Sequence, residues 1–323
     1  MHTVHTMPAH EGPTQLPWLP LILLSLLMLG YLLAAGRQRR QGNGWSGHRC
    51  ALFVLGSVVL GAAVAPPVMS WAHHDLRGHM LLHLVMGMLA PLAWVLAAPV
   101  TLLLRSLPRP GARFIAVLLR SLPIRLVSHP VGAMLLNIGG MYLLYLTPLY
   151  TLSLRSEALH YWVHLHFLIA GYLFCWSILA GPDASPHRLS LRFRLGVLFL
   201  AMATHALLGK LMYGYLQPHG TGHSMEQIQA AAQLMYYGGD LAEVLLAIVL
   251  LLVWLRTPVE RREPLFRAGQ PSPQRPPAPP RQAGHPACTI TPTPPVHASG
   301  VGYIEDMLEI LHKARIPRYR LAR

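Results

Sequence analysis

Long apolar stretches separated by short polar segments dominate the chain up to residue 256. A helix needs ~20 residues to cross ~30 Å of hydrocarbon, and seven stretches are near that length. They cover residues 18–36, 50–71, 79–104, 130–150, 160–180, 195–216 and 234–255. Because lipid cannot satisfy backbone N–H and C=O groups, each stretch is predicted to be helical. The pattern predicts an all-α integral membrane protein, a bundle of about seven transmembrane helices.

Two local features modify this pattern. The third stretch contains Pro91 and Pro99, which predict a kink or a break in that span. Residues 113–122 are apolar but short and bounded by arginine, so they predict an interfacial helix and not a further span.

The arginines predict the orientation of the bundle. They cluster in the segments after the first, third, fifth and seventh spans, and the alternate connections are poor in charge. By the positive-inside rule the N-terminus is predicted outside and the C-terminus in the cytoplasm. Residues 1–17 form a His- and Met-containing outer tail, 18–256 the seven-helix transmembrane domain, and 257–323 a Pro/Arg-rich cytoplasmic tail. The C-terminal tail is predicted to be mostly disordered because of its composition.

Composition agrees with a membrane protein. The chain is 53% hydrophobic and 12% charged, about half the charged fraction of soluble domains. The net charge of +14 suggests nucleic acid at first, but the arginines lie in short loops and the tail, without a basic–aromatic platform. Nucleic-acid binding is therefore excluded. The three cysteines are too far apart to indicate a disulfide framework or a CxxC metal site.

The histidines carry the candidate chemistry. Two pairs have i, i+4 spacing on predicted spans, His79 with His83 and His160 with His164. Such pairs share a helix face, and Met86 continues the first face. His205 lies near the middle of the sixth span. Imidazole suits Cu, Zn and Fe and thioether selects Cu(I), so copper is the metal predicted for this set.

Two carboxylates near the start of the last span belong to the same hypothesis. Asp240 and Glu243 are spaced i, i+3, and ionisable groups inside a membrane need partners. They could ligate a metal or accept the second N–H of a ligating histidine. The alternative for all these residues is structural hydrogen bonding between helices. His73 and His74 are interpreted as interfacial polar residues with a supporting or incidental role.

Four blocks of the sequence resemble a known family. They read HMLLHLVMGMLAPLAWVLAAPVTLLLR from residue 79, HYWVHLHFLIAGYLFCWSILAGPDASPHRLSLRFRL from 160, HALLGKLMY from 205 and YYGGDLAE from 236. In this order they resemble the signatures of CtaG, the multi-span cytochrome c oxidase assembly family of the Gram-positive type. The resemblance covers residues 15–257.

The resemblance implies a seven-helix membrane protein needed to make active haem–copper oxidase, with a suggested role in copper supply. It carries over His79, His83, His160, His164, His205, Asp240 and Glu243 as site residues. The chain departs from the family pattern in its fourth span. The family has a Trp-His pair before the proline there, whereas this chain reads YLTP and has no histidine.

We therefore expect a multi-pass assembly factor of the plasma (inner) membrane, and not an enzyme. It would bind copper transiently at the outer membrane face and pass it to the oxidase catalytic subunit. Its partners would be cytochrome c oxidase subunits and the lipid bilayer. In the main alternative the same histidines are axial haem ligands of a haem-binding or redox-active membrane protein. A histidine-box di-iron enzyme would need a further HxxHH box, and a copper permease a polar relay to the inner face.

Overall fold

The computed structural model describes residues 18–180 and 189–256. The predicted tails, 1–17 and 257–323, lie outside the described residues. Contacts divide the chain into two units, Met1–Arg39 with Gly44–Thr257, and Arg40–Asn43 with Pro258–Arg323. The site described below belongs to the first unit.

Helices make up all the regular secondary structure of the described ranges. In chain order they are α1 Leu19–Arg40, α2 Gly47–Ala63, α3 Pro66–His74, α4 Leu76–Leu84, α5 Ala90–Ala97, α6 Pro99–Ser106, α7 Arg109–Arg120, α8 Leu122–Val127, α9 Pro130–Met134, α10 Gly140–Leu146, α11 Leu149–Arg155, α12 Glu157–Leu179, α13 Leu191–Tyr215 and α14 Met225–Leu255. Two π-helical turns, Val85–Leu89 and Leu135–Gly139, join α4 to α5 and α9 to α10.

The predicted number of spans depends on how bent helices are counted. Five continuous helices are long and apolar enough to cross a membrane: Leu19–Arg40, Leu76–Ala97, Glu157–Leu179, Leu191–Tyr215 and Met225–Leu255. Two further pairs, α2 with α3 and α9–α10 with α11, qualify only as bent units, with angles of 53° and 79°. The described chain therefore has five candidate spans, or seven if each bent pair is one span. The all-helical membrane architecture agrees with the sequence.

Proline accounts for the breaks. Pro66 opens α3, and Pro148 precedes α11, so the predicted second and fourth spans each change direction at these points. In the third span, Pro91 lies just after the first π-turn. Proline has no backbone N–H, so one α-helical hydrogen bond is missing at this point and the helix is distorted. Ala98 adopts a left-handed conformation with φ of 55°, which ends the helix before Pro99. The predicted break is confirmed, and the span ends at Ala97 instead of residue 104.

The short arginine-bounded segment forms its own helix. α7 buries none of its residues, and apolar side chains such as Phe114 and Val117 are exposed. It is not among the candidate spans of the described residues, as predicted.

The bundle is packed around α12, which contacts the first π-turn, α5 and α9. At the tightest crossing Gly171 of α12 lies against the backbone of Gly87, so close that a Cβ on Gly171 would collide with the Gly87 carbonyl oxygen. Small residues permit such approaches between membrane helices. α1 packs loosely, with only Tyr31, Ala35 and Gln38 buried. Its apolar exposed face is suited to lipid.

Candidate functional site

The two predicted histidine pairs face each other across α4 and α12. α4 begins after Asp75, whose carboxylate accepts a hydrogen bond from the Arg77 backbone N–H at 2.9 Å. α12 begins after Ser156, whose hydroxyl accepts from the Leu159 N–H at 3.4 Å. These caps place each pair in the first turns of its helix. We call the four side chains the histidine tetrad: His79, His83, His160 and His164.

The tetrad is a buried cluster. Each residue exposes no more than 7% of its surface. The ring centre of His79 lies 6.5 Å from that of His83, 6.5 Å from that of His160 and 5.8 Å from that of His164. The rings of His160 and His164 are closer, with centres 4.2 Å apart. The structure thus brings together four residues that are up to 85 positions apart in the sequence.

Several nitrogens of the tetrad lack hydrogen-bond partners. Among the described residues none is found for either nitrogen of His79, for Nε2 of His83 or for Nε2 of His164. Burying a polar atom without a partner is costly, and native proteins rarely do so without a water, ion or functional reason. The cluster is therefore a candidate ligand site in the described core, and the His205–Glu243 pair has a similar number of unpartnered atoms.

One hydrogen bond determines the proton position in His164. Its Nδ1 lies 2.9 Å from the carbonyl oxygen of His160. A carbonyl can only accept, so Nδ1 must carry the hydrogen, and in a neutral ring the Nε2 lone pair is then free. Metal-binding histidines are commonly oriented in this way by a hydrogen bond from the second nitrogen.

The spacing of the rings can be compared with metal coordination. Two imidazoles bound to one ion through ~2.0 Å nitrogen–metal bonds have ring centres roughly 5 to 6.5 Å apart, depending on the angle at the metal. The three separations from His79 fall in this range, while that of His160 from His164 is shorter. With the rings as placed, no three His, Cys, Asp or Glu side chains in the described ranges converge as a metal-holding group. The ring-centre separations from His79 are thus compatible with two imidazoles on one ion, and the rings as placed do not form a three-ligand site in the described ranges.

Two tyrosines lie beside the tetrad. Tyr145 and Tyr150 are fully buried, and within the described ranges neither hydroxyl has a hydrogen-bond partner. Their ring centres lie 6.2 and 5.0 Å from that of His79. Phe167 closes the other side, 4.0 Å from His83. Sequence reasoning missed these tyrosines, although Tyr145 lies in the YLTP segment that has no histidine.

His73 was predicted to have a supporting or incidental role, and it contacts the tetrad. Its Nε2 lies 2.8 Å from Nε2 of His160, and the ring centres are 4.4 Å apart. Its position at the end of α3 gave no signal of this contact. The neighbouring His74 is exposed.

The carboxylates divide into two environments. Glu243 is fully buried, and its Oε1 lies 3.4 Å from Nδ1 of His205. His205 packs against Gly239, where a Cβ would collide with its ring. Asp240 is half-buried. Among the described residues, no histidine nitrogen lies within 4 Å of its carboxylate oxygens, the distance limit for an ion pair. Of the two predicted supporting carboxylates, the structure brings Glu243 to a histidine.

The predicted sulfur ligand lies in another part of the core. Met86 is buried in an apolar cluster with Tyr31, Phe53 and Trp94. Tyr145, Tyr150 and Phe167, which border the tetrad, belong to a different cluster. The structure gives Met86 a packing role, and its role as a ligand stays a prediction.

Asp75 and Arg77 form an ion pair at this end of the bundle. The Arg77 guanidinium donates to both carboxylate oxygens of Asp75 at 3.0 Å. These hydrogen bonds hold the pKa of Asp75 below its usual value. The carboxylate that caps α4 is therefore ionised at neutral pH.

Comparison with known proteins identifies the family of the chain. The family model described as cytochrome c oxidase caa3 assembly factor (Caa3_CtaG) matches residues 29–257. The chain belongs to this family. The resemblance found in the four sequence blocks is thereby confirmed, and the match includes the tetrad, His205 and both carboxylates. No solved structure is significantly similar to the chain.

Three mycobacterial proteins are similar to this family member. Uncharacterised proteins of Mycobacterium bovis and Mycobacterium tuberculosis are 36% identical to it over 191 residues, and one of Mycobacterium leprae is 35% identical. Each alignment covers 57% of this chain and 29% of the relative. The chain therefore spans less than a third of the length of these curated relatives.

The family is described as one of cytochrome c oxidase caa3 assembly factors. The apolar helices add that this member is a multi-pass membrane protein.

Proposed function

We propose that this assembly factor binds a copper ion transiently at the histidine tetrad and supplies it to the oxidase catalytic subunit. The observation that carries the proposal is the set of buried imidazole nitrogens without partners, at ring separations that suit one ion. His205 was predicted as a further ligand. The carboxylate beside its Nδ1 and the buried Nε2 without a partner among the described residues are compatible with ligation, so His205 stays a proposed ligand beside the tetrad.

The chemistry of the tetrad suits delivery. A carrier needs ligands that bind and then release, and it needs no nucleophile or acid–base pair. Neutral imidazoles bind copper well, and without thiolates in the cluster the ion can leave for another set of histidines. The free Nε2 lone pair of His164 offers one ligand whose orientation is already set.

The predicted topology implies the side of the membrane on which copper would be received and released. With the N-terminus outside, the tetrad lies toward the outer leaflet of the plasma (inner) membrane, because α4 starts and α12 starts at that end. Copper would then be received and released in the outer half of the bilayer. The partner surface is proposed to be a membrane-embedded face of the oxidase subunit.

The crowding around His79 favours an ion over haem. Five rings have their centres 5.0–6.5 Å from that of His79: His83, His160, His164, Tyr145 and Tyr150. A porphyrin bound to His79 would need a flat slot beside it, and these rings fill that space. The haem alternative remains testable by absorbance.

Metal analysis of the purified protein tests the site. We expect copper to co-purify with the wild type and to be lost from His79→Ala/His83→Ala. The control His219→Ala removes an exposed histidine outside the tetrad and should keep its copper. Unchanged copper in the double variant would refute the site, and a Soret band in place of copper would favour haem.

Oxidase maturation tests the role. In cells lacking this protein, we expect the oxidase to contain less copper and to have lower activity. Expression of the wild type or of His219→Ala should restore both, whereas His79→Ala/His83→Ala should restore neither. Fully copper-loaded oxidase in the deletion cells would contradict copper supply.

A further inference from the structure

His73 joins the surface of the bundle to the buried tetrad. It is exposed at the end of α3, whereas its hydrogen-bond partner His160 exposes only 6% of its surface. The two Nε2 atoms are 2.8 Å apart. This contact links α3 to the first turn of α12.

The contact begins a continuous series of imidazoles. From His73 the ring-centre separations are 4.4 Å to His160, then 4.2 Å from His160 to His164, and then 5.8 Å from His164 to His79. Only the first member is exposed, and the last exposes 3% of its surface. A metal ion could pass along this series with one imidazole exchanged for the next at each step.

The hydrogen bond places a proton where an ion could lie. Between two Nε2 atoms one ring must donate and the other accept, so one ring carries its hydrogen on Nε2. If that hydrogen moves to Nδ1 through solvent, both Nε2 lone pairs become available to one ion. Both rings stay neutral, and no net proton is gained or lost. The ion would replace the hydrogen bond after a small widening of the Nε2–Nε2 distance.

We propose that His73 is the exchange ligand of the tetrad. Copper entering the site is held first between His73 and His160, and copper leaving the site is held there last. The inference rests on the proposed copper site and adds the route by which that site is loaded. His73 is not a ligand of the fully loaded site.

The test measures loading rates and affinity separately. Full-length protein in detergent is mixed anaerobically with the bicinchoninate complex of Cu(I), and loss of the complex's visible absorbance gives the loading rate and the equilibrium affinity. Removal of Cu(I) by excess chelator gives the release rate. The variants are His73→Ala, His73→Gln and His73→Met, with His74→Ala as the matched control because it removes the adjacent exposed histidine.

The variants separate ligation from hydrogen bonding. Gln can hydrogen-bond to His160 but is a poor Cu(I) ligand, whereas the Met thioether ligates Cu(I) and is a poor hydrogen-bonding group. We expect His73→Ala and His73→Gln to load and release copper about tenfold more slowly with nearly unchanged affinity. His73→Met and His74→Ala should load at the wild-type rate.

Three results would overturn the proposal. Wild-type rates in His73→Ala would make the residue incidental, and lower affinity with an unchanged loading rate would make it a resident ligand. Rescue by Gln and not by Met would reduce its role to a structural hydrogen bond. If the wild type itself binds no Cu(I), the proposed function is contradicted. If the wild type binds Cu(I) and loads at the same rate as His73→Ala, only the role of His73 is contradicted.

Discussion

The Nδ1 atom of His164 donates a hydrogen bond to the carbonyl oxygen of His160, one turn earlier in α12. The distance is 2.9 Å, and it leaves the buried Nε2 of His164 with no partner among the described residues. Two histidines of one helix thus have different tasks, since the backbone of the first orients the ring of the second. The same helix carries His166, whose Nε2 lies 3.1 Å from the Leu136 carbonyl.

Substitution of His164 should therefore weaken copper binding. We expect His164→Ala to lower the Cu(I) affinity at least about tenfold, because a pre-oriented ligand is lost. His166→Ala should leave the affinity unchanged and cost about 1 kcal/mol of stability through its lost hydrogen bond. Chelator competition measures the affinity, and thermal unfolding in detergent the stability. Equal losses of affinity in both variants would contradict the assignment.

The crossing of α12 and the first π-turn should tolerate no side chain at Gly171. Its Cβ would collide with the Gly87 carbonyl, so Gly171→Ala must push the two backbones apart and should cost about 2 kcal/mol or more. Gly196→Ala is the control, since a Cβ there meets no heavy atom within 4 Å. Alanine is the better helix former, so this variant should gain up to about 1 kcal/mol. Midpoints of thermal unfolding test both, and a neutral Gly171→Ala would show that the crossing is looser.

The Asp75 carboxylate should make stability depend on pH. Arg77 lowers the pKa of Asp75, so the folded state binds this proton less tightly than the unfolded state. Its stabilisation is complete above the usual pKa of about 4 and is lost as the pH falls through the lower pKa of the folded state. Asp75→Asn should therefore be less stable than wild type at pH 6, and the difference should shrink toward pH 3.

Arg77→Gln provides the matched test of that cause. Removing the guanidinium should reduce the same pH dependence while keeping the carboxylate. Unfolding temperatures measured between pH 3 and 7 give the three profiles. Parallel profiles for the wild type and both variants would show that this pair does not couple protonation to folding.

The contact of His205 with Glu243 predicts non-additive effects. His205→Leu leaves a fully buried carboxylate without its partner, which should cost about 3–5 kcal/mol. In His205→Leu/Glu243→Leu the buried polar groups are both gone, and we expect much of the stability to return. Thermal unfolding of both single variants and the double variant gives the coupling.

Copper loading of that double variant separates the two roles of His205. If the tetrad alone holds the ion, the double variant should keep its affinity for Cu(I). Loss of binding in a folded double variant would place His205 in the ligand set, as the sequence predicts.

The sequence predicted the tetrad but not its surroundings. The i, i+4 spacing alone indicates that His79 lies above His83 and that His160 lies above His164, because the helix repeat is local. His73 lies at the end of α3, the helix that follows the 53° bend after α2, and Tyr150 lies just after the 79° bend before α11. The angle of a proline break cannot be obtained from spacing, so neither residue could be assigned to the site in advance.

The sequence by itself determined the class of the protein, its family and the helices that carry the histidines, because apolar length and helical periodicity are properties of local segments. Tertiary structure decided which imidazole nitrogens lack partners, that Glu243 and not Asp240 meets His205, and that His73 reaches His160. Contacts between helices depend on their rotation and tilt. The two π-turns, the proline breaks and the close approach of Gly171 to Gly87 set these angles, and their combined effect exists only in the assembled bundle.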